Sequence, residues 1–182
     1  YGFVVTKLLT KELITNNISL ISGGARGIDS IAHKTALENG GVNISVMGCG
    51  LDRTYPYENK MLFSKIQEKG VLLSEYLPGT KPNSYNFPQR NRIISGLADT
   101  VIVIEASEKS GSLITADLAL KQDKRVIAVP GSIFYSGAEG SNNLINREGV
   151  EAFSTIENFR QLLNFDHVNI TPMDFTPEKS DI

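Results

Sequence analysis

Apolar positions along this chain follow two rhythms. Over 3–15, Leu8, Leu9 and Leu13 recur at helical spacing; over 18–22 the apolar residues close into the short run Ile18-Ser19-Leu20-Ile21. A second helical pattern over 28–39 stops at Asn39-Gly40-Gly41, and a second short apolar run over 44–47 ends at Gly48-Cys49-Gly50. The alternation continues as a helix over 57–69 stopped by Gly70, a strand over 71–76, and a Pro/Gly-rich loop over 77–87. That loop leads into a helix with Pro88 in its first turn. The run Val101-Ile102-Val103-Ile104, within a strand predicted over 100–105, is β-branched throughout, as a parallel strand covered on both faces requires. A loop over 107–112, a helix over 113–121 and a strand over 125–129 follow, then short helices over 142–148 and 154–163.

Strands alternating with helices predict an α/β fold, a doubly wound and mainly parallel sheet of the extended Rossmann-like type. Right-handed crossovers place the strand-to-helix turns on one rim of the sheet. The turns at 22–27, 48–53, 76–88, 105–112 and 130–140 are therefore expected to converge on one crevice. They carry Arg26, Arg53, Lys81 and Lys109, with Arg90 and Arg92 just beyond. The chain opens directly into a helix, so the sheet is expected to lack its usual first strand. Residues 1–163 read as the domain. Residues 164–182, with Thr-Pro steps at 171–172 and 176–177, read as a linker-like tail before a missing C-terminal module.

Composition narrows the function classes. With 41% hydrophobic and 21% charged residues, the 182-residue chain has the make-up of a soluble globular domain, and no apolar run is long enough to span a bilayer. A single cysteine, Cys49, excludes an internal disulfide and reads as a small buried hydrophobe. The net charge of −2 argues against indiscriminate nucleic-acid binding, yet it is unevenly placed. Residues 1–135 hold 15 Lys/Arg and 12 Asp/Glu, whereas 136–182 hold 3 and 8, so the acidic balance belongs to the tail.

The richest candidate chemistry lies at Ser22-Gly23-Gly24-Ala25-Arg26-Gly27-Ile28-Asp29. A glycine turn between strand and helix presents backbone N–H groups to a phosphate, and Arg26 adds a guanidinium fork. The glycine spacing matches neither a dinucleotide fingerprint nor a P-loop. The bland alternative is a tight turn that happens to contain an arginine. Asp29 either faces the helix N-terminus or holds Arg26 in place. Arg90 and Arg92 flank Asn91 at a helix start, and their spacing puts them on different faces. Lys109, Ser110, Gly111 and Ser112 form either a second anion cradle or an N-capping loop. Tyr55, Tyr57, Tyr76, Tyr85 and Phe87 either stack on nucleobases or pack the rim loops onto the body. His33 and His167 have no partners at metal-ligand spacing, and no catalytic constellation is present.

Together these segments resemble the DNA-processing protein A family (DprA, also called Smf). The resemblance rests on the 22–29 octapeptide followed by Ala32-His33, on Tyr55-Pro56 near Asn59, and on Phe87-Pro88-Gln89-Arg90-Asn91-Arg92-Ile93-Ile94-Ser95-Gly96-Leu97. It continues through Glu105-Ala106, Ser110-Gly111-Ser112-Leu113-Ile114-Thr115-Ala116, Val129-Pro130-Gly131-Ser132 and Gly140-Ser141-Asn142, in the family's order. The resemblance implies a cytoplasmic homodimer that binds single-stranded DNA and helps load the RecA recombinase in natural transformation, with no cofactor, no metal and no catalysis. It assigns the DNA backbone to Ser22, Gly23, Gly24, Arg26 and Gly27. Arg90, Asn91, Arg92, Lys109, Ser110, Gly111 and Ser112 are further contacts. Gly24 stands where the family usually has leucine, a change expected to loosen the turn without removing the anion site. A phosphoribohydrolase-like enzyme of the LOG group, or a nucleotide sensor, is the competing reading. Against the enzyme, 109–117 lacks the glutamate that such hydrolases need.

Overall fold

The computed structural model describes residues 1–165. Helix α1 (Gly2–Thr15) precedes a first parallel sheet of β1 (Leu20–Ser22), β2 (Asn43–Val46) and β3 (Val71–Leu73), ordered β1-β2-β3. Helices α2 (Ile28–Glu38) and α3 (Lys60–Lys69) make its crossovers, and a 3-10 turn (Tyr57–Asn59) leads into α3. Helix α4 (Asn86–Leu97) leads to a second parallel sheet of β4 (Thr100–Val103), β5 (Arg125–Ala128) and β6 (Val150–Ala152), ordered β4-β5-β6. Its crossovers are α5 (Gly111–Lys121) and α6 (Glu139–Ile145), and α7 (Ile156–Leu162) follows.

The α/β Rossmann-like class is as expected, with every described strand pair parallel. The ladder differs from a single continuous sheet, because its hydrogen bonds fall into two three-stranded halves. Strand β6 has no counterpart in the sequence reading: three residues, Val150-Glu151-Ala152, are too few to display a period. The helix expected at 142–148 starts earlier, at Glu139. The tail segment from 166 on, with His167 and both Thr-Pro steps, lies outside the described residues.

Strand β4 has the two-sided burial its composition demands. Val101 and Val103 pack with Ala116, Ala119, Val126 and Leu144, toward α5 and α6. Ile102 and the adjoining Ile104 face the other way, onto Leu9 of α1, Val129 and Phe159 of α7. In the first half, Leu62, Phe63 and Ile66 of α3 cover Met47 and Cys49. Cys49 is thus the small buried hydrophobe expected, and burial pushes its thiol pKa up. Two helices tie the halves together. Helix α1 packs on α2 and places Leu9 against Val129, while buried Glu12 accepts from Arg160 at 2.7 and 3.2 Å. Helix α4 contacts β1, β2 and α5.

A second inter-element tie joins α2 to β2. Asn43 Nδ2 donates to the His33 carbonyl at 2.8 Å, so its Oδ1 faces His33 Nδ1 at 2.5 Å and assigns that nitrogen the proton. Nε2 is buried without a partner, and burial lowers the imidazole pKa below its ordinary 6.5 despite the opposing charge of Asp29. The native state thus refuses a proton that the unfolded chain accepts. This stabilisation is complete above pH 6.5 and is lost as pH falls below it toward the lower folded-state pKa. Urea denaturation at pH 7.5 and 5.5 should show a steeper acid loss in wild type than in His33→Gln; equal slopes would assign the acid sensitivity elsewhere.

Candidate functional site

The octapeptide spans the end of β1 and the first turn of α2, as its strand–glycine–helix pattern requires. Several of its polar groups are satisfied from within. The Gly23 and Ala25 N–H groups donate to one Asp29 oxygen at 3.2 and 3.1 Å. The Gly23 amide, expected to meet an external phosphate, and its neighbour at Ala25 are therefore held by the chain's own carboxylate. Asp29 thus anchors the turn amides, while Arg26 pairs elsewhere, so Asp29 does not hold Arg26. Ser30 Oγ donates to Ala25 O at 2.6 Å, and Asn59 Nδ2 donates to Gly24 O at 2.9 Å and Ser30 Oγ at 2.8 Å.

Gly24 does not loosen this turn. It adopts φ +67°, a left-handed conformation that side chains resist, and a Cβ there would overlap the Phe63 ring and approach Ser45 Oγ. Glycine is what lets the turn sit directly on α3. Gly23 has a different reason: a Cβ would lie 2.7 Å from Arg90 Nη2.

Arg90 accounts for that approach. The residue is only 5% exposed, and Nη1 donates to Gly23 O at 3.0 Å and to Val46 O, at the ends of β1 and β2. Its Nε donates to Asn91 Oδ1, and Asn91 Nδ2 donates to Gly111 O at the start of α5, each at 3.2 Å. Burial draws the guanidinium pKa down, and Asp29 opposes that shift. Arg90 and Asn91 therefore clamp the rim of the first half to that of the second. Arg92 points away, exposed and paired with Glu75, as the two-residue spacing predicts.

Arg26 is the exposed cation of the turn, its side chain 62% accessible. Its Nη2 donates to both Glu58 oxygens, at 2.9 and 3.0 Å, and its guanidinium lies 5.9 Å from the Tyr55 ring centroid. Glu58 raises the Arg26 pKa, while the Glu58 carboxyl is held low first by its own backbone amide and then by Arg26. Tyr55 packs on Phe87 with ring centroids 5.2 Å apart, and Tyr76 Oη donates to Asn86 O at 3.2 Å. Those rings serve loop packing. Tyr57 and Tyr85 stay exposed, with Lys60 Nζ 5.9 Å from the Tyr57 ring.

On the second half, Ser110 caps α5 by accepting from Ser112 N at 3.3 Å, and its hydroxyl lies 2.8 Å from that of Ser112. Lys109 is exposed beside it. The rim loops also interlock: Gly50 N donates to Thr80 O at 3.0 Å, Gly79 N to Asp52 Oδ1 at 2.8 Å, and Ser141 N to Ala106 O at 3.1 Å. Arg53 pairs with Asp52 at 3.3 Å. Sequence reasoning missed Glu58 as Arg26's partner and Asn59 as the clamp on the turn, since both act across 29–35 positions that no local period reports. Among the described residues, no group of three or more His, Cys, Asp or Glu could hold a metal ion. No described helix is long and apolar enough to cross a membrane.

The arrangement is an interlocked rim whose glycine turn exposes Arg26. The family model for the DNA recombination-mediator protein A matches residues 1–164. The chain belongs to that family. It is 43% identical over 162 residues to the DNA processing protein DprA of Bacillus subtilis, covering 89% of this chain and 54% of that protein. It is 44% identical over 151 residues to the protein Smf of Escherichia coli, covering 82% and 40%. The chain thus spans about half the length of these relatives. Among solved structures, DNA processing protein A from Streptococcus pneumoniae superposes with TM-score 0.80 at 41% identity, over 92% of this chain and 58% of that one. The Helicobacter pylori protein, whose structure is described for its single-stranded DNA binding mode, gives TM-score 0.83 at 34% identity, over 92% and 76%. The family is named for mediating recombination, not for a catalytic activity, and membership gives no support to the phosphoribohydrolase-like reading.

The clamp yields a direct expectation. Lysine at position 90 keeps the charge but cannot span both carbonyls and Asn91. Arg90→Lys should lose about 2–4 kcal/mol of stability, because buried acceptors are left without donors. Urea unfolding checks it, and an unchanged midpoint would contradict the clamp.

Proposed function

We propose that this domain binds single-stranded DNA by its phosphate backbone, with Arg26 as the primary contact. Lys109, Ser110, Gly111, Ser112 and Arg92 are the further contacts in this reading. Ser22, Gly23, Gly24 and Gly27 shape the turn, and Arg90 and Asn91 fix its position. The observation that carries the reading is the exposed Arg26 guanidinium on a turn braced by Asp29, in a domain of the recombination-mediator family. A guanidinium is suited to phosphate oxygens through directed, charge-assisted hydrogen bonds. The strand-binding mode for which the Helicobacter pylori relative is described supports the same ligand class. In the whole protein, we propose, this domain works as part of a cytoplasmic homodimer that helps load the RecA recombinase onto incoming strands in natural transformation, without a cofactor.

An oligo-dT titration over a range of salt concentrations tests the site. Binding should need neither nucleotide nor metal. Arg26→Ala should weaken it about tenfold at low salt, as loss of one charge-assisted contact does. The slope of log affinity against log salt should fall in magnitude by up to about 0.7, and equally for all base compositions, because phosphate contacts carry no base information. Equal binding by Arg26→Ala and wild type would remove Arg26 from the interface.

A further inference from the structure

Two carboxylates bond to groups of this turn, and they are held very differently. Asp29 is half-buried at the start of α2 and accepts from two backbone N–H groups, so it belongs to the frame. Glu58 sits in a three-residue 3-10 turn, with its side chain 62% exposed, and its hydrogen bonds to another side chain go to Arg26 alone. Both of its oxygens accept from the same Arg26 Nη2. A phosphodiester offers the same motif, two oxygens sharing one negative charge. A strand reaching Arg26 must therefore either take that nitrogen from Glu58 or lie against an uncompensated carboxylate. Exposed ion pairs are weak, and the flexible glutamate can swing into solvent.

We propose that Glu58 is a displaceable internal competitor for the phosphate position on Arg26, and so sets the affinity of this site for single-stranded nucleic acid. The inference rests on the strand-binding reading above. Glu58 keeps the arginine occupied and oriented by an anion of modest strength, which yields to a phosphodiester. Displacement also has an ionic signature. An incoming strand releases cations as its phosphate is neutralised, while the freed Glu58 takes cations up. Wild-type binding should thus depend on salt less steeply than binding by a variant without the carboxylate.

Oligo-dT titrations of wild type, Glu58→Gln, Arg26→Ala and the double variant across salt concentrations test this. Glu58→Gln should bind about two- to fivefold more tightly at low salt, the range an exposed ion pair supplies. Its salt slope should be steeper, by up to about 0.7. In the Arg26→Ala background the same substitution should gain nothing. Weaker binding by Glu58→Gln would make Glu58 an orienting residue and overturn the proposal. An equal gain with and without Arg26 would reduce it to net charge and overturn it too. If wild type fails to bind, or Arg26→Ala binds as well as wild type, the strand-binding reading itself falls. If wild type binds, Arg26→Ala is weakened and Glu58→Gln gains nothing, this inference alone falls.

Discussion

A guanidinium taken out of water loses several kcal/mol of hydration and must recover it from groups placed around it. Arg90 recovers it from backbone carbonyls at the ends of β1 and β2 and from the side-chain oxygen of Asn91. Asp29 lends opposite charge from nearby without a direct hydrogen bond to it. Residue Gly23 sits between these two ions: its N–H donates to Asp29 and its carbonyl accepts from Arg90. Much of the rim's geometry follows from that arrangement. Position 23 must lack a Cβ for the guanidinium to approach. Helix α4 must begin where it does to aim residue 90 inward. Asn91 then carries the constraint to Gly111, so the start of α5 is set by the same contact chain.

This frame changes what the glycine turn can do. A strand–turn–helix junction ordinarily leaves amides for an anion. Here two of them are already bonded to a carboxylate. Those two amides are closed to an external anion, and the Arg26 side chain is the exposed charge that the turn presents to one. The difference is chemical as well as positional. Backbone amides in a fixed nest select one compact anion in one place. An exposed arginine side chain holds a phosphate with more freedom, which suits a polymer presenting many equivalent phosphates.

The sequence showed the element order because its periods are long and clean. The β-branched run 101–104 and the helix stops at Gly40 and Gly70 are local signals, and each appears in the structure where the pattern places it. Strand β6 was invisible because three residues carry no period, and its place is set by pairing with β5 and by the Arg125–Glu151 ion pair. The division into two hydrogen-bonded halves was equally hidden, since pairing between strands is non-local. At the site, the motif identified the turn and its arginine. It could not show that Arg90 is buried, because its carbonyl partners lie 44 and 67 positions away. Nor could it show that Asp29 fills the amides, since an aspartate in a first helical turn is explained equally well by the helix dipole.

The two arginines of this rim thus illustrate how environment divides one side-chain chemistry into two roles. Arg90 is 5% exposed, and its donors are turned inward to carbonyls and an amide, so its planar fork acts as a bracket between strand ends. Arg26, three residues beyond Gly23, has the same fork in water, held by a carboxylate as exposed as itself and lying near the Tyr55 ring. Rigidity in the first is what makes exposure useful in the second. A turn pinned by Asp29, Asn59 and Arg90 presents Arg26 from a fixed base, so little backbone order remains to be imposed when an anion arrives.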